Sequence, residues 1–438
     1  MFDKLFGWGK KKEEPEPPIN FGRYSDNNKP NEKVNRWNDA DALFKEKKYF
    51  EGLASFFEYL RDDAAQNVTH EQNGDSGQFQ LYQGSKIVRG SYNRERIQAE
   101  ATLAKMPQPS VPVMRRLLEM NFNLYYGRFA LDADRLCMRF DSNIEGANPN
   151  KLYYGLKELA TKADKQDDLL VQDFTILQST DADHVTDSPQ SEKEVKFQYW
   201  TKWLKETTDY VSTLDADKFS GGIAYLLLAL AFRIDYLITP QGKLMNELEK
   251  VVEIYFRKDE RPAQEKNRDM ITAFQKLLAR KSDEFFPYIF TARYTFAITT
   301  PQVYKTIGEA IQNSNQNISW YRENNYSLIA EKICEYGISY CQYSYSLPKP
   351  ITELYQLFMM VNYSDYFSAL GFREKYFDPA ARQFNIAGIN DRIREIQDDW
   401  RTKFPNLSFK IENLKYDSLS NFNFTYTTEL QLLNMENK

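Results

Sequence analysis

The sequence predicts an α+β protein in two parts, and three observations carry that reading. Residues 34–176 switch between helical and strand periodicity in the order α-β-β-β-α-β-β-α. Residues 177–194 are polar and acidic, as a linker is. From residue 195 to 438 the apolar spacing is mainly helical, closing with a C-terminal β-hairpin.

In chain order, residues 1–33 read as a flexible tether. Phe2, Leu5, Phe6 and Trp8 cluster ahead of Lys10-Lys11-Lys12, and Glu13-Glu14-Pro15-Glu16-Pro17-Pro18 is an extended run with nothing to bury. The cluster and its basic flank have the pattern of a weak membrane or partner contact. A terminus that docks on its own domain is the plainer alternative. Val34 to Leu60 is helical: Trp37, Ala40, Phe44, Tyr49, Leu53, Phe56, Phe57 and Leu60 recur at spacings of three to five. Lys45 to Lys48 interrupt them, so one long helix and a helical hairpin both fit.

Asn73 to Gly77 reads as a loop before three strands, Gln78 to Gln83, Lys86 to Gly90 and Arg94 to Leu103, with Gly84-Ser85 as a two-residue turn. Ile97, Ala99, Ala101 and Leu103 alternate with Gln98, Glu100 and Thr102, the period of a half-buried strand. Ser110 and Pro112 then open a helix whose apolar side is Val113, Leu117, Leu118 and Met120. Leu124 to Leu131 and Arg135 to Phe140 are two further strands. Asp132-Ala133-Asp134 joins them as a turn, since a calcium loop would need a glycine and a distal glutamate that are missing. Asn148-Pro149-Asn150 starts the last helix of this part, with Leu152, Leu156, Leu159, Ala163 and Leu170 inward.

In the second part Phe219 to Leu237 is apolar nearly all round, as the central helix of a bundle is. Phe285 to Ile298 is β-branched and aromatic enough for a strand. Phe409 to Ile411 and Phe422 to Leu433 supply the expected C-terminal hairpin. Tyr355, Phe358, Met359, Met360, Tyr363, Tyr366 and Phe367 form a Tyr- and Met-rich stretch suited to an adaptable protein-interaction surface, with a plain buried helix as its alternative.

Composition narrows the function. With 57 Lys and Arg against 62 Asp and Glu the net charge is −5, so no nucleic-acid footprint is visible. The longest apolar run, Ile223 to Phe232, is about ten residues, half a bilayer span. The first residues lack a secretory apolar core, which makes the cytoplasm the expected compartment. Three cysteines fit a reducing environment. Cys334 and Cys341 would stand about 10 Å apart along a helix, beyond disulfide reach. His70 and His184 are the only histidines, so a zinc site has almost no ligands, and both fall in polar stretches that read as loops. No phosphate loop, nucleophile elbow, His-Glu-x-x-His or Cys-x-x-Cys occurs, and no cofactor is expected.

The segment MNFNLYYGRFALDADRLCMRF followed by LYYGLKELATKADKQDDLL resembles the bacterial putative sensory-transduction-regulator family, which has a type III secretion chaperone-like fold. The matching features are Asn121 or Asn123 near the helix end, Gly127 before the first strand, the Asp132/Asp134 turn, and Ala163-Asp164 with Asp168 in the last helix. The resemblance spans about 140 residues, and its motifs carry no catalytic residue. It implies a small α/β sandwich, often a homodimer, that binds polypeptide segments. A non-enzymatic, chaperone-like or regulatory protein binder is therefore expected. The alternative is a carbohydrate or small-molecule binder, with a carboxylate-based hydrolase included, using a Tyr/Trp-lined cleft.

Overall fold

The computed structural model describes residues 16–27, 29–180 and 184–436. Phe2, Leu5, Phe6 and Trp8 lie outside the described residues, as does any contact they make. The fold is α+β, with an antiparallel sheet in the first half and a mainly helical second half.

Two helices open the first half, α1 (Asn31–Lys45) and α2 (Tyr49–Leu60), so the break at Lys45 to Lys48 makes a hairpin. Strands β1 (Val68–Asn73), β2 (Ser76–Gln83), β3 (Lys86–Tyr92) and β4 (Arg96–Lys105) follow as a meander. After α3 (Val111–Asn121) come β5 (Arg128–Asp132), β6 (Arg135–Asn143), α4 (Pro149–Asp173) and the two-residue β7 (Gln178–Ser179). The sheet order is β1-β2-β3-β4-β6-β5, with β7 on the far end of β4. One face, including Leu81, Val88, Ile97, Ala101, Leu103 and Met138, is buried in a core shared with Phe56 and Phe57 of α2 and Leu156 and Leu159 of α4.

Strand β1 is the element sequence periodicity passes over. Its Thr69, Glu71 and Gln72 are at the surface because an edge strand is held by backbone pairing to β2, with no apolar alternation to betray it. Asn73 to Gly77 is thus not a loop but a tight turn, with Gly74 at φ 59° and Asn73 paired with Ser76. His70 accordingly lies in a strand: its Nε2 meets the Tyr92 hydroxyl at 2.8 Å and its ring stacks on Phe57. His184 is not fully solvated either, since its Nε2 is 3.2 Å from the Gly84 carbonyl.

The second half is a helical assembly: α5 (Gln190–Ser212), α6 (Ser220–Arg233), α7 (Gly242–Phe256), α8 (Ala263–Leu278), α9 (Ser282–Phe285), α10 (Tyr304–Asn315), α11 (Ile318–Glu323), α12 (Ser327–Ser344), α13 (Lys349–Asn362), α14 (Ser364–Ala369), α15 (Ile386–Trp400) and α16 (Leu419–Gln431). The helix α6 continues through a π-helical turn, Ile234–Ile238, and nearly all of it is buried, as its all-round apolar surface demands. Its length and composition would also suit a membrane span, but its surface is taken up by the other helices.

Two strand expectations are corrected. Phe422 to Leu433 is helical as α16. Phe422, Tyr426 and Leu430 recur every fourth residue and are all buried, a period that the visible alternation of aromatics concealed. The β-branched residues fit because Thr427 and Thr428 donate their hydroxyls to the carbonyls of Asn423 and Phe424, four residues back. Ser418 caps the start by accepting the Asn421 amide. Its proposed partner Phe409 to Ile411 is irregular chain running into a short 3-10 turn. In Phe285 to Ile298 only Phe290–Thr291 is a strand, paired with Thr186–Asp187 of the linker stretch.

The two halves are knitted together rather than merely joined. The Gln83 side chain brackets the Thr295–Phe296 backbone, and Thr295 donates to the Tyr82 carbonyl at 2.9 Å. Phe296 completes the sheet core. In return, part of the expected tether lies against the helical half: Phe21 packs on Tyr236, Phe367 and Phe372, and Arg23 grips Asp235. Asp26 bridges the halves, accepting from Tyr153 of α4 at 2.7 Å and from Ser346 at 3.3 Å.

Candidate interaction surface

Of the large apolar side chains left exposed among the described residues, a concentrated group lies on α3, the loop after it and β5. Val111 is 81% exposed, Leu118 63%, Phe122 90% and Tyr125 92%, with Tyr126 and Leu131 following on the loop and β5. Exposed aromatics scattered singly are ordinary, but a contiguous set marks a contact surface.

The geometry follows from α3. Val113 and Leu117 are buried against the sheet. At 100° per residue Val111, Arg115, Leu118 and Phe122 fall on the opposite side. The helix therefore carries two apolar stripes. Sequence reading assigned Leu118 to the inner one; its 63% exposure places it on the outer. The second stripe was legible as a 4-3-4 spacing of positions 111, 115, 118 and 122, had the central Arg115 not masked it.

The loop that displays Tyr125 and Tyr126 is held from behind. Glu158 of α4 accepts three consecutive backbone amides, Tyr125 N at 2.8 Å, Tyr126 N at 2.7 Å and Gly127 N at 2.8 Å. Charge-assisted bonds of this kind are roughly twice as strong as neutral ones and fix the loop's course. With its backbone anchored inward, the loop has only outward directions for its aromatic rings.

β5 is an edge of the sheet, and edges recruit foreign strands. This one is blunted. Asn121 accepts the Phe129 amide at 2.7 Å and donates to the Phe129 carbonyl at 3.3 Å, so its carboxamide stands where a neighbouring strand would pair. Asn121 and Gly127 thus build this surface. The open face of the sheet is polar instead: Glu100 and Asp132 pair with Arg135 and Arg139 at 2.5–3.0 Å, half-exposed pairs that add little stability.

The surface expected on α13 and α14 is not one. Tyr355, Phe358, Met359, Tyr366 and Phe367 are buried, and Met360 and Tyr363 are half-buried. The tyrosines point inward because each hydroxyl finds a partner there: Tyr355 meets Ser339 Oγ at 2.7 Å, Tyr366 donates to the Leu237 carbonyl at 2.6 Å, and Tyr363 reaches Glu335.

A second polar cluster lies where the halves meet. Asp164, Asp167 and Asp168 share one side of α4. Asp164 accepts the Ser85 amide at 2.7 Å, and Asp167 pairs with Lys86 at 3.0 Å. Gly84 and Gly242, both at positive φ, let backbone approach these acids; a Cβ would stand 2.0 Å from Asp164 Oδ1 and 2.2 Å from Asp168 Oδ2. Tyr288, Tyr294, His184 and Thr180 complete the surroundings, and Lys86 is the cation that pairs with the acids. Burial and the neighbouring Asp167 push the Asp164 carboxyl up to about 7 and that of Asp168 to about 6. A carboxyl that is raised in the folded state stabilises at low pH and loses that contribution as pH rises through 6–7. These two acids by themselves are therefore expected to add roughly 1 kcal/mol to stability in urea between pH 8 and 6.5. Asp164→Asn should flatten this dependence; the same slope in the variant would refute the assignment. His70, held down at about 4 by burial, works in the opposite sense as pH falls through 6.5 and offsets part of this gain.

Among the described residues no group of His, Cys, Asp and Glu is arranged to hold a metal ion. The three cysteines are buried free thiols. A groove of about 640 Å³ between α1, α2 and β1 is lined by Asp39, Glu46, Glu51, Glu58 and His70 but by no Tyr, Trp or Phe, so it lacks the Tyr/Trp wall expected of a sugar cleft. Comparison of the chain with known protein families finds no match, and comparison with curated proteins finds none.

Proposed function

We propose that the protein is a non-enzymatic, cytoplasmic protein binder, chaperone-like or regulatory, and that it engages its partner through the aromatic face of α3 and the Phe122–Gly127 loop. The observation that carries this reading is the pair Phe122 and Tyr125, both at least nine-tenths exposed on a loop anchored by Glu158. Exposing two aromatic rings on a rigid loop forgoes their burial, roughly 1.5–3 kcal/mol each, while sparing the ordering cost when a partner docks. The Asn121 cap favours recognition through side chains over strand addition.

Selection of binders from a random peptide library on the folded protein tests this. Enriched peptides should carry apolar anchors and lose at least tenfold in affinity for Phe122→Ser/Tyr125→Ser, whose thermal midpoint should match the parent because both side chains are exposed. Peptides that bind the double variant unchanged, or a library that yields no binder, would overturn the proposal.

A further inference from the structure

We propose that the joint between the two halves is a proton-binding latch. With Asp164 and Asp168 in the acid form, the helical half closes on α4 and the Gly84 turn; with both ionised, the joint opens. This is independent of what docks on α3. Three observations lead to it.

The acids are clamped between backbones. Asp164, Asp167 and Asp168 follow at steps of three and one, so one side of α4 brings three carboxyls together. The β2–β3 turn presses on them from the sheet half and the start of α7 from the helical half. At Gly84 and Gly242 the backbone comes so close to Asp164 and Asp168 that a side chain would not fit.

The charges do not balance. Lys86, 2% exposed, is the cation bonded to the cluster among the described residues, through Asp167 at 3.0 Å. The surrounding charges are matched elsewhere: Lys165 with Glu249, Lys243 and Arg280 with Glu247, and Arg23 with Asp235. Arg293 lies over the Tyr82 ring. Tyr288, Tyr294 and His184 are the other titratable groups around the cluster. Three carboxylates against one ammonium leave two charges uncompensated, and two protons remove them. Lys86 holds Asp167 ionised, so the protons belong on Asp164 and Asp168.

A buried acceptor lacks its hydrogen. Asp167, 5% exposed, accepts from Ser85 and Lys86 through Oδ2, while its Oδ1 is buried with no donor. Thr180, whose carbonyl shares Lys86, and His184, on the Gly84 carbonyl, each also bury an unpartnered polar atom. A half-satisfied network of this kind is costly in a buried site. An ionised aspartate can only accept, whereas its acid form brings the missing hydrogen.

Burial and the neighbouring Asp167 hold Asp164 at about 7 and Asp168 at about 6, so both forms are populated near neutrality. Opening returns the two carboxyls to their ordinary range and releases their protons. It therefore becomes easier as pH rises to 7 and levels off above.

Hydrogen exchange of the full chain tests this at the Gly84 amide, which bonds to the Arg293 carbonyl across the joint at 3.0 Å. In the parent its protection factor should fall roughly tenfold between pH 6 and 7.5. In Asp164→Asn/Asp168→Asn, which has no carboxyl left to titrate at these positions, protection should stay constant over that range. The infrared carbonyl band of protonated carboxylic acids should be present in the parent at pH 5.5, shrink by pH 8, and lose part of its intensity in either single variant. Parent protection that does not change, a double variant that keeps the fall, or a band unaltered by both single variants would overturn the proposal. Circular dichroism melting checks folding; if the double variant does not fold, parent protection and the single-variant spectra decide.

Discussion

Replacing Arg233 with alanine is expected to lower the free energy of unfolding by about 3–5 kcal/mol, because it strands a charge inside the helical half. Arg233 donates to Glu335 with Nε at 2.7 Å and Nη2 at 3.3 Å, and both side chains are almost fully buried. Lys332 adds a bond to Glu335 at 2.8 Å, and the guanidinium stacks over Tyr363 at 4.7 Å and Trp203 at 5.6 Å. Burial alone would raise the Glu335 carboxyl; Arg233 and Lys332 outweigh it and hold the group at about 2. With its folded value depressed, Glu335 adds stability above the ordinary carboxylate range, and this is lost as pH falls toward 2. In Arg233→Ala the pH dependence should shrink along with the stability. The double replacement Arg233→Met/Glu335→Leu should recover a large share of the loss, since an apolar pair of similar volume needs no counter-charge. Urea unfolding of the three proteins measures this; a single variant within 1 kcal/mol of the parent would refute it.

The second large effect is expected at Arg23. Its guanidinium forks onto Asp235 at 2.8–3.1 Å, reaches Glu249 at 3.1 Å and lies 4.0 Å over the Tyr343 ring. Asp235 is buried in the π-helical turn after α6, which sets its carboxylate against the N-terminal segment. Arg23→Ala should cost roughly 3 kcal/mol, again by leaving a buried carboxylate unpaired. It should also free residues 19–27, raising hydrogen exchange at Gly22, whose amide is bonded to the Tyr236 carbonyl at 2.9 Å. Arg23→Lys should restore only part, because an ammonium cannot fork. Unaltered protection at Gly22 in Arg23→Ala would show that the segment is held by Phe21 alone.

These two sites show where sequence reading stopped. Arg233 and Asp235 are charges at the end of an apolar helix, where each needs a partner. Their partners, Glu335 and Arg23, lie about a hundred and two hundred residues away in sequence, and nothing local points to them. The Gly84-Ser85 turn, the Asp132 to Asp134 hairpin and the helix start at Asn148 to Asn150 were read correctly because each depends on residues within a few positions. The Tyr355 to Phe367 stretch was offered as a surface on composition; burial of its hydroxyls in partnered positions is a tertiary property. Conversely, nothing in the local sequence singles out Phe122 and Tyr125. Their exposure is decided by Glu158, which anchors the loop backbone from another helix.

What the sequence determined by itself is the α+β class, the order of most elements in residues 34–176 and the helical character of the second half, because periods of 2 and 3.6 are local and survive in any context. What only the tertiary structure decided is which of two apolar stripes on a helix such as α3 turns inward, whether a β-branched aromatic run such as Phe422 to Leu433 pairs or coils, and how the two halves are bolted through residues 21–26 and 293–296. The physical reason is common to all three. Burial and buried charge pairing are settled by whichever distant surface arrives, and a period in sequence records a face without recording what will cover it.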